Sequence, residues 1–150
     1  MSANIQIQQK TSMPSPITCH VLDSSRGLPA SGVRVQLELK SPPETNSKTE
    51  DWSFIAEGET NNDGRIPNLI NPDLLPPDWK KSLKLFDYGD GSPAKAIFRT
   101  TFYTKEYFDK LKQKTFYPYV QITFQIEDVN QHYHVPLLLS PFSYTTYRGS

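Results

Sequence analysis

The stretch His132-Tyr133-His134-Val135-Pro136-Leu137-Leu138-Leu139-Ser140-Pro141-Phe142-Ser143-Tyr144-Thr145-Thr146-Tyr147-Arg148-Gly149-Ser150 carries strand-forming residues almost to its last position. Successive side chains of a strand point to opposite faces. Counted from Tyr133, that places Tyr133, Val135, Leu137 and Leu139 on one face and His134, Pro136, Leu138 and Ser140 on the other. Ser140-Pro141 reads as a turn, and 142–147 as a second β-rich run. The pattern predicts a hairpin that delivers Arg148, a flexible Gly149 and the Ser150 hydroxyl into one small volume.

The same alternation recurs upstream. Residues 17–23 set Ile17, Cys19 and Val21 against Thr18, His20 and Leu22. Residues 33–40 set Val33, Val35, Leu37 and Leu39 inward and Arg34, Gln36, Glu38 and Lys40 outward. Segments 52–60 and 94–103 are β-type too, and 119–127 align Val120, Ile122, Phe124 and Ile126. Asn62-Asp63-Gly64 is a turn signal, with Arg65 directly after it. Thr104 is suited to cap a short helix over 105–112, with Tyr107, Phe108 and Leu111 on its buried side. Seven or eight short strands and one short helix predict an all-β fold, a two-sheet sandwich. No repeat or second domain is visible. Residues 1–15 read as a flexible tail, 16–150 as one domain, and a proline-bearing stretch at about 68–93 as an insertion within it.

Composition narrows the function. A chain of 150 residues is long enough for one domain with a substantial core. Sixteen basic residues balance sixteen acidic ones with no basic run, which argues against a nucleic-acid partner. The single cysteine, Cys19, excludes an internal disulfide framework and fits a reducing compartment. The polar residues 1–15 lack the apolar core of a secretory signal, and no apolar run approaches membrane-spanning length. A cytoplasmic location is expected. The Gly149-Ser150 ending is not a Ser-Lys-Leu-type peroxisomal address, but a peroxisomal location stays open.

The residues with acid–base chemistry are few. His20, His132 and His134 are the only histidines. His20 and Cys19 are strand neighbours and point apart, so they do not form a nucleophile pair. By residue type alone, His20 and His134 read as hydrogen-bonded, half-buried strand histidines, and Arg65 as a solvated turn arginine. Arg148 reads as an ion-pair partner and Tyr147 as a packing residue. Asp63, between Asn62 and Gly64, is a turn former rather than a triad member. A His-x-His pair plus a third histidine is also a zinc-type pattern, through which metal-bound water would act as nucleophile.

Three stretches change the weighting. The ending Tyr147-Arg148-Gly149-Ser150, with His134-Val135-Pro136-Leu137-Leu138-Leu139-Ser140-Pro141 before it, resembles the transthyretin-related 5-hydroxyisourate hydrolases. So do Ile17-Thr18-Cys19-His20-Val21-Leu22-Asp23 and Thr60-Asn61-Asn62-Asp63-Gly64-Arg65. The resemblance covers roughly residues 16–40, 52–67 and 94–150, and its terminal tetrapeptide is the most specific part. It implies a transthyretin-like sandwich of two four-stranded sheets with the helix between the fifth and sixth strands. It implies a homotetramer with sites between subunits, a small-molecule substrate, no cofactor and no metal. The implied reaction opens 5-hydroxyisourate to 2-oxo-4-hydroxy-4-carboxy-5-ureidoimidazoline. His20, Arg65 and His134 match the catalytic group, and His20, Arg65, Tyr147, Arg148 and Ser150 the substrate-binding set. Water attack on a ring carbonyl needs a base, for which a neutral histidine is suited near its ordinary pKa of about 6.5. His134 is the expected base and His20 its partner, although the sequence leaves open which of them takes the proton. A transthyretin-type carrier of small aromatic ligands is the alternative with the same fold. An inactive relative whose 68–93 insertion blocks the site is a third reading.

Overall fold

Strand alternation decides what is buried. In β1 (Ile17–Asp23), Ile17, Cys19 and Val21 are buried while Thr18, His20 and Leu22 are only half-buried. The same period-two pattern runs through β3 (Arg34–Lys40) as far as Leu37 and through β8 (Tyr133–Leu139) except at Pro136, which is buried as well. The remaining strands are β2 (Leu28–Pro29), β4 (Trp52–Glu59), β5 (Arg65–Ile66), β6 (Ala96–Phe102), β7 (Val120–Ile126) and β9 (Tyr144–Thr146). Among the described residues a helix, α1 (Thr104–Lys110), lies between β6 and β7. The computed structural model describes residues 15–41, 52–70 and 85–150.

The strands form two sheets. The first has the order β2-β1-β8-β9, with β5 also paired to β1; the second has the order β4-β3-β6-β7. The first sheet therefore has five strands rather than four, because the two-residue strands β2 and β5 pair with different parts of β1. β1 and β8 run parallel over seven matched residues, and the other named strand pairs are antiparallel. The inner faces meet in one core that includes Val21, Val35, Leu37, Phe98, Phe102, Phe108, Val120, Ile126 and Leu137. Burying each of the larger of these side chains contributes about 1.5–3 kcal/mol.

The helix departs from its expected form. It starts at Thr104 and ends at Lys110, and Lys112 leaves it in a left-handed conformation with φ 55°. Thr104 does not cap it. Its hydroxyl is fully buried with no hydrogen-bond partner, and Tyr103 holds the cap position without a side-chain bond. Core packing of this turn has overridden the local capping preference. Tyr107 and Phe108 are buried as expected, and Tyr107 Oη donates to the buried Asp23 carboxylate at 2.8 Å, tying the helix to the end of β1. The final hairpin is also shorter than its β-rich sequence suggests. Ser143 turns back on Ser140 through its carbonyl, which leaves Tyr144–Thr146 as the strand paired with β8, followed by one isolated bridge at Gly149.

The expected tail over 1–15 lies outside the described residues except for Ser15, which is buried and bonds to Ile17 O and Ile70 N. Residues 71–84, the middle of the expected insertion, also lie outside them. Its near end contributes Leu69 and Ile70 to the core, and on its far side Phe86 bridges to Lys95. Among the described residues no helix is long and apolar enough to cross a membrane.

Candidate active site

Two strand pairings build the histidine face. β5 runs antiparallel to β1 and sets Arg65 opposite His20; β8 runs parallel to β1 and sets His134 opposite Thr18. Thr18 and His20 share the face of β1 that points away from the core, since Cys19 between them is buried. His20, Arg65 and His134 thus come together on the outer face of the first sheet. The imidazole centroids of His20 and His134 are 6.5 Å apart.

Arg65 is held there by a locally closed turn. Asn61 Oδ1 accepts hydrogen bonds from the backbone N–H of Asp63 (2.9 Å) and of Arg65 (3.0 Å). Gly64 N–H donates to Asn61 O, and Val21 N–H to Gly64 O. Gly64 has φ 72°, and a Cβ there would run into the Val21 carbonyl. Only glycine suits a position that combines a left-handed backbone with so close an approach. Asp63 is part of this turn, as its Asn-Asp-Gly setting implies.

The opposite flank is formed by residues 144–150. Gly149 N–H donates to His134 O at 3.0 Å and forms an isolated antiparallel bridge with it. A Cβ on Gly149 would lie 2.5 Å from His134 Cδ2 and 3.0 Å from Pro136 Cγ. The expectation of a flexible hinge at Gly149 is therefore corrected: the residue lets the backbone lie against the imidazole, where any side chain would collide. Arg148 reaches back to Gln131 Oε1 (2.9 Å) and stacks 4.9 Å over the Tyr133 ring. Tyr147 and Ser150 are exposed. A cleft of about 240 Å³ is lined by His134, Tyr147 and Arg148 with Thr123 and Gln125 of β7; His20, Arg65 and Ser150 lie outside it.

Both histidines are held below their ordinary pKa of 6.5. Desolvation is the main cause for His20; the Arg65 charge adds to it, and a hydrogen bond to the Asp63 backbone partly opposes it. For His134 burial again leads, followed by the charges of Arg65, His132 and His20. Both are therefore neutral at neutral pH, and a neutral imidazole can take a proton from water. Cys19 is different. Burial pushes its thiol up to about 12, which makes it an inert core residue. Among the described residues no group of three or more His, Cys, Asp or Glu side chains is arranged to hold a metal ion.

The catalytic and binding sets expected from the sequence include neither His132 nor Thr18. Thr18 Oγ1 lies 2.7 Å from His134 Nδ1 and 2.9 Å from His132 Nε2, so one hydroxyl joins the two rings. The signal was present as strand parity, since Thr18 shares the outward face of β1 with His20.

The same arrangement of sheets occurs in proteins of known structure and activity. The profile of the HIUase/Transthyretin family matches residues 17–149. The chain is 40% identical to the mouse 5-hydroxyisourate hydrolase over 136 residues, 91% of this chain and 96% of that one. Sea bream transthyretin in complex with thyroxine superposes with a TM-score of 0.66 at 28% identity, covering 89% of this chain and 94% of that one. The 5-hydroxyisourate hydrolase of Klebsiella pneumoniae superposes with a TM-score of 0.60, also at 28% identity, over 89% of this chain and 98% of that one. With a family profile matched along nearly its whole length and a relative this similar across almost all of both sequences, the chain belongs to the HIUase/Transthyretin family.

Proposed function

We propose that this chain hydrolyses 5-hydroxyisourate, opening it to 2-oxo-4-hydroxy-4-carboxy-5-ureidoimidazoline in urate breakdown. The observation that carries the reading is the convergence of His20, Arg65 and His134 on one sheet face, in a chain whose relatives include hydrolases of that substrate. Neutral His134 takes a proton from water as the oxygen adds to a ring carbonyl. Arg65 offers its planar donor fork to the oxyanion that forms. The tetrahedral intermediate collapses with cleavage of the carbon–nitrogen bond, and the departing nitrogen takes the proton back from the His134 imidazolium. His20 orients the water or relays its proton. Tyr147 and Ser150, exposed beside the histidine face, close the pocket over the flat ring, and Arg148 contributes from the adjoining cleft, where it stacks on Tyr133.

The chemistry is metal-independent in this reading, since a base and an oxyanion donor already supply both needs of a cyclic amide hydrolase. The active form is a homotetramer with each site between subunits. An open sheet face leaves Arg65, Tyr147 and Ser150 in water, and a covering partner would strengthen every electrostatic contact there. The buried, unpaired Cys19 supports a reducing compartment such as the cytoplasm. Transthyretin shares the fold, and one relative of known structure holds thyroxine. The two-histidine, one-arginine face favours hydrolysis over carriage.

The test generates 5-hydroxyisourate in place with urate oxidase and follows its transient ultraviolet absorbance. Accelerated decay that survives chelators, from a species of four-subunit mass by light scattering, is the expected result. Decay at the uncatalysed rate would refute the hydrolase reading. Loss with chelator and recovery with zinc would refute metal independence, and a fully active monomer would refute the shared site.

A further inference from the structure

The Thr18 hydroxyl sits between two imidazoles and has one proton to give. Its contacts are His134 Nδ1 at 2.7 Å and His132 Nε2 at 2.9 Å. A bare ring nitrogen on both sides would leave one of them without a donor. An N–H on both sides would leave the threonine proton without either acceptor. The satisfied arrangements are therefore two. Either His134 donates to Thr18 and Thr18 donates to His132, or the whole chain of bonds runs the other way.

The two arrangements differ in what His134 presents on its far side. A neutral imidazole carries one proton, so a proton held on Nδ1 leaves Nε2 bare, and a proton on Nε2 leaves nothing there to act as base. Arg65 lies opposite His20 on the same sheet face as His134, and its charge opposes protonation of that ring; a nearby cation favours a bare lone pair over an N–H on the nitrogen left open beside it. His132 is exposed, so its own Nδ1–H is satisfied by water when its Nε2 accepts from Thr18.

We propose that Thr18 and His132 are positioning residues for the hydrolysis: together they hold the proton of His134 on Nδ1 and keep Nε2 bare as the general base. His132 accepts the Thr18 proton, which turns the threonine lone pairs toward His134. Thr18 in turn fixes both the tautomer and the tilt of the ring. Neither residue touches the reacting atoms. The inference rests on His134 being the base in the proposed function.

Ring-nitrogen NMR of the intact labelled protein, with no substrate present, tests it directly. The expected spectrum has His134 protonated on Nδ1 in the wild type and shifted toward the Nε2–H form in Thr18→Val. In the absorbance assay, Thr18→Val and His132→Leu each lower kcat by about 10–100-fold with little change in KM. That lies at or below the bottom of the about 10²–10⁴-fold that general acid–base catalysis contributes, as suits residues that only position the base. Thr18→Ser, which keeps the hydroxyl, restores most of the rate. A wild-type His134 protonated on Nε2 would overturn the proposal, as would Thr18→Val with unchanged kcat. A wild type that shows the Nδ1–H tautomer but does not act on 5-hydroxyisourate would refute the function and leave the tautomer assignment standing.

Discussion

Arg65 and Gly149 bound the histidine face from opposite sides, and different kinds of contact hold them there. Arg65 follows a turn closed within five residues, where the Asn61 side chain and the left-handed Gly64 complete the hydrogen bonds. Gly149 ends a stretch whose side chains at 144–148 are exposed and which is placed by bonds to β8, fifteen positions or fewer back along the chain. The turn flank is built into the sandwich, since Gly64 packs on Val21 and Ile66 lies in the core. The tail flank touches His134, the proposed base, but little of the core. The difference teaches that one glycine is fixed by the fold around it and the other by its contact with the His134 imidazole.

The deepest break comes from removing the imidazoles that both flanks serve. His134→Ala and His20→Ala should each lower turnover by about 10²–10⁴-fold for loss of proton transfer, with the melting temperature little changed. Near-normal rates in both variants would refute the assignment. Acidity should mimic this loss. Activity should fall as pH drops through the His134 pKa, which lies below 6.5. Stability follows the same sign. With both folded-state pKa values depressed, the unfolded chain binds protons first, so stability is full above about 6.5 and is lost as pH falls toward the folded-state values. A rate that rises on acidification would contradict a neutral base.

On the turn flank, Arg65→Ala should cost roughly 2.7–4 kcal/mol of transition-state stabilisation if its fork holds the oxyanion. Arg65→Lys should recover little of it, because lysine keeps the charge without the planar pair of donors. Full activity in the lysine variant would show that charge alone suffices.

The two glycines sharpen the contrast with smaller effects. Gly149→Ala should lift the backbone off His134 and lower kcat by about tenfold through misplacement, with an unchanged melting temperature. Gly64→Ala should cost about 1–3 kcal/mol of stability from its strained φ and its collision with Val21, read as a lower midpoint in denaturant. Equal loss of stability in both variants would remove the distinction drawn between the flanks.

The sequence by itself determined the period-two faces, and through them the sandwich. Ile17, Cys19 and Val21 could only be inward if Thr18 and His20 were outward, because pleating allows nothing else. It also determined the Asn61–Gly64 turn, whose bonds are local, and the resemblance carried by residues 147–150. It did not determine how the Thr104 turn is capped, since burial of that hydroxyl depends on what packs over it. It could not show that β1 and β8 pair in parallel, or that this register sets Thr18 opposite His134 across 116 positions. Alternation fixes the face a residue points to, not its neighbour on the next strand. Gly149 shows the same limit. A glycine before a terminal serine reads as a hinge until the chain folds back, and only the tertiary structure places the imidazole where its missing side chain would have been.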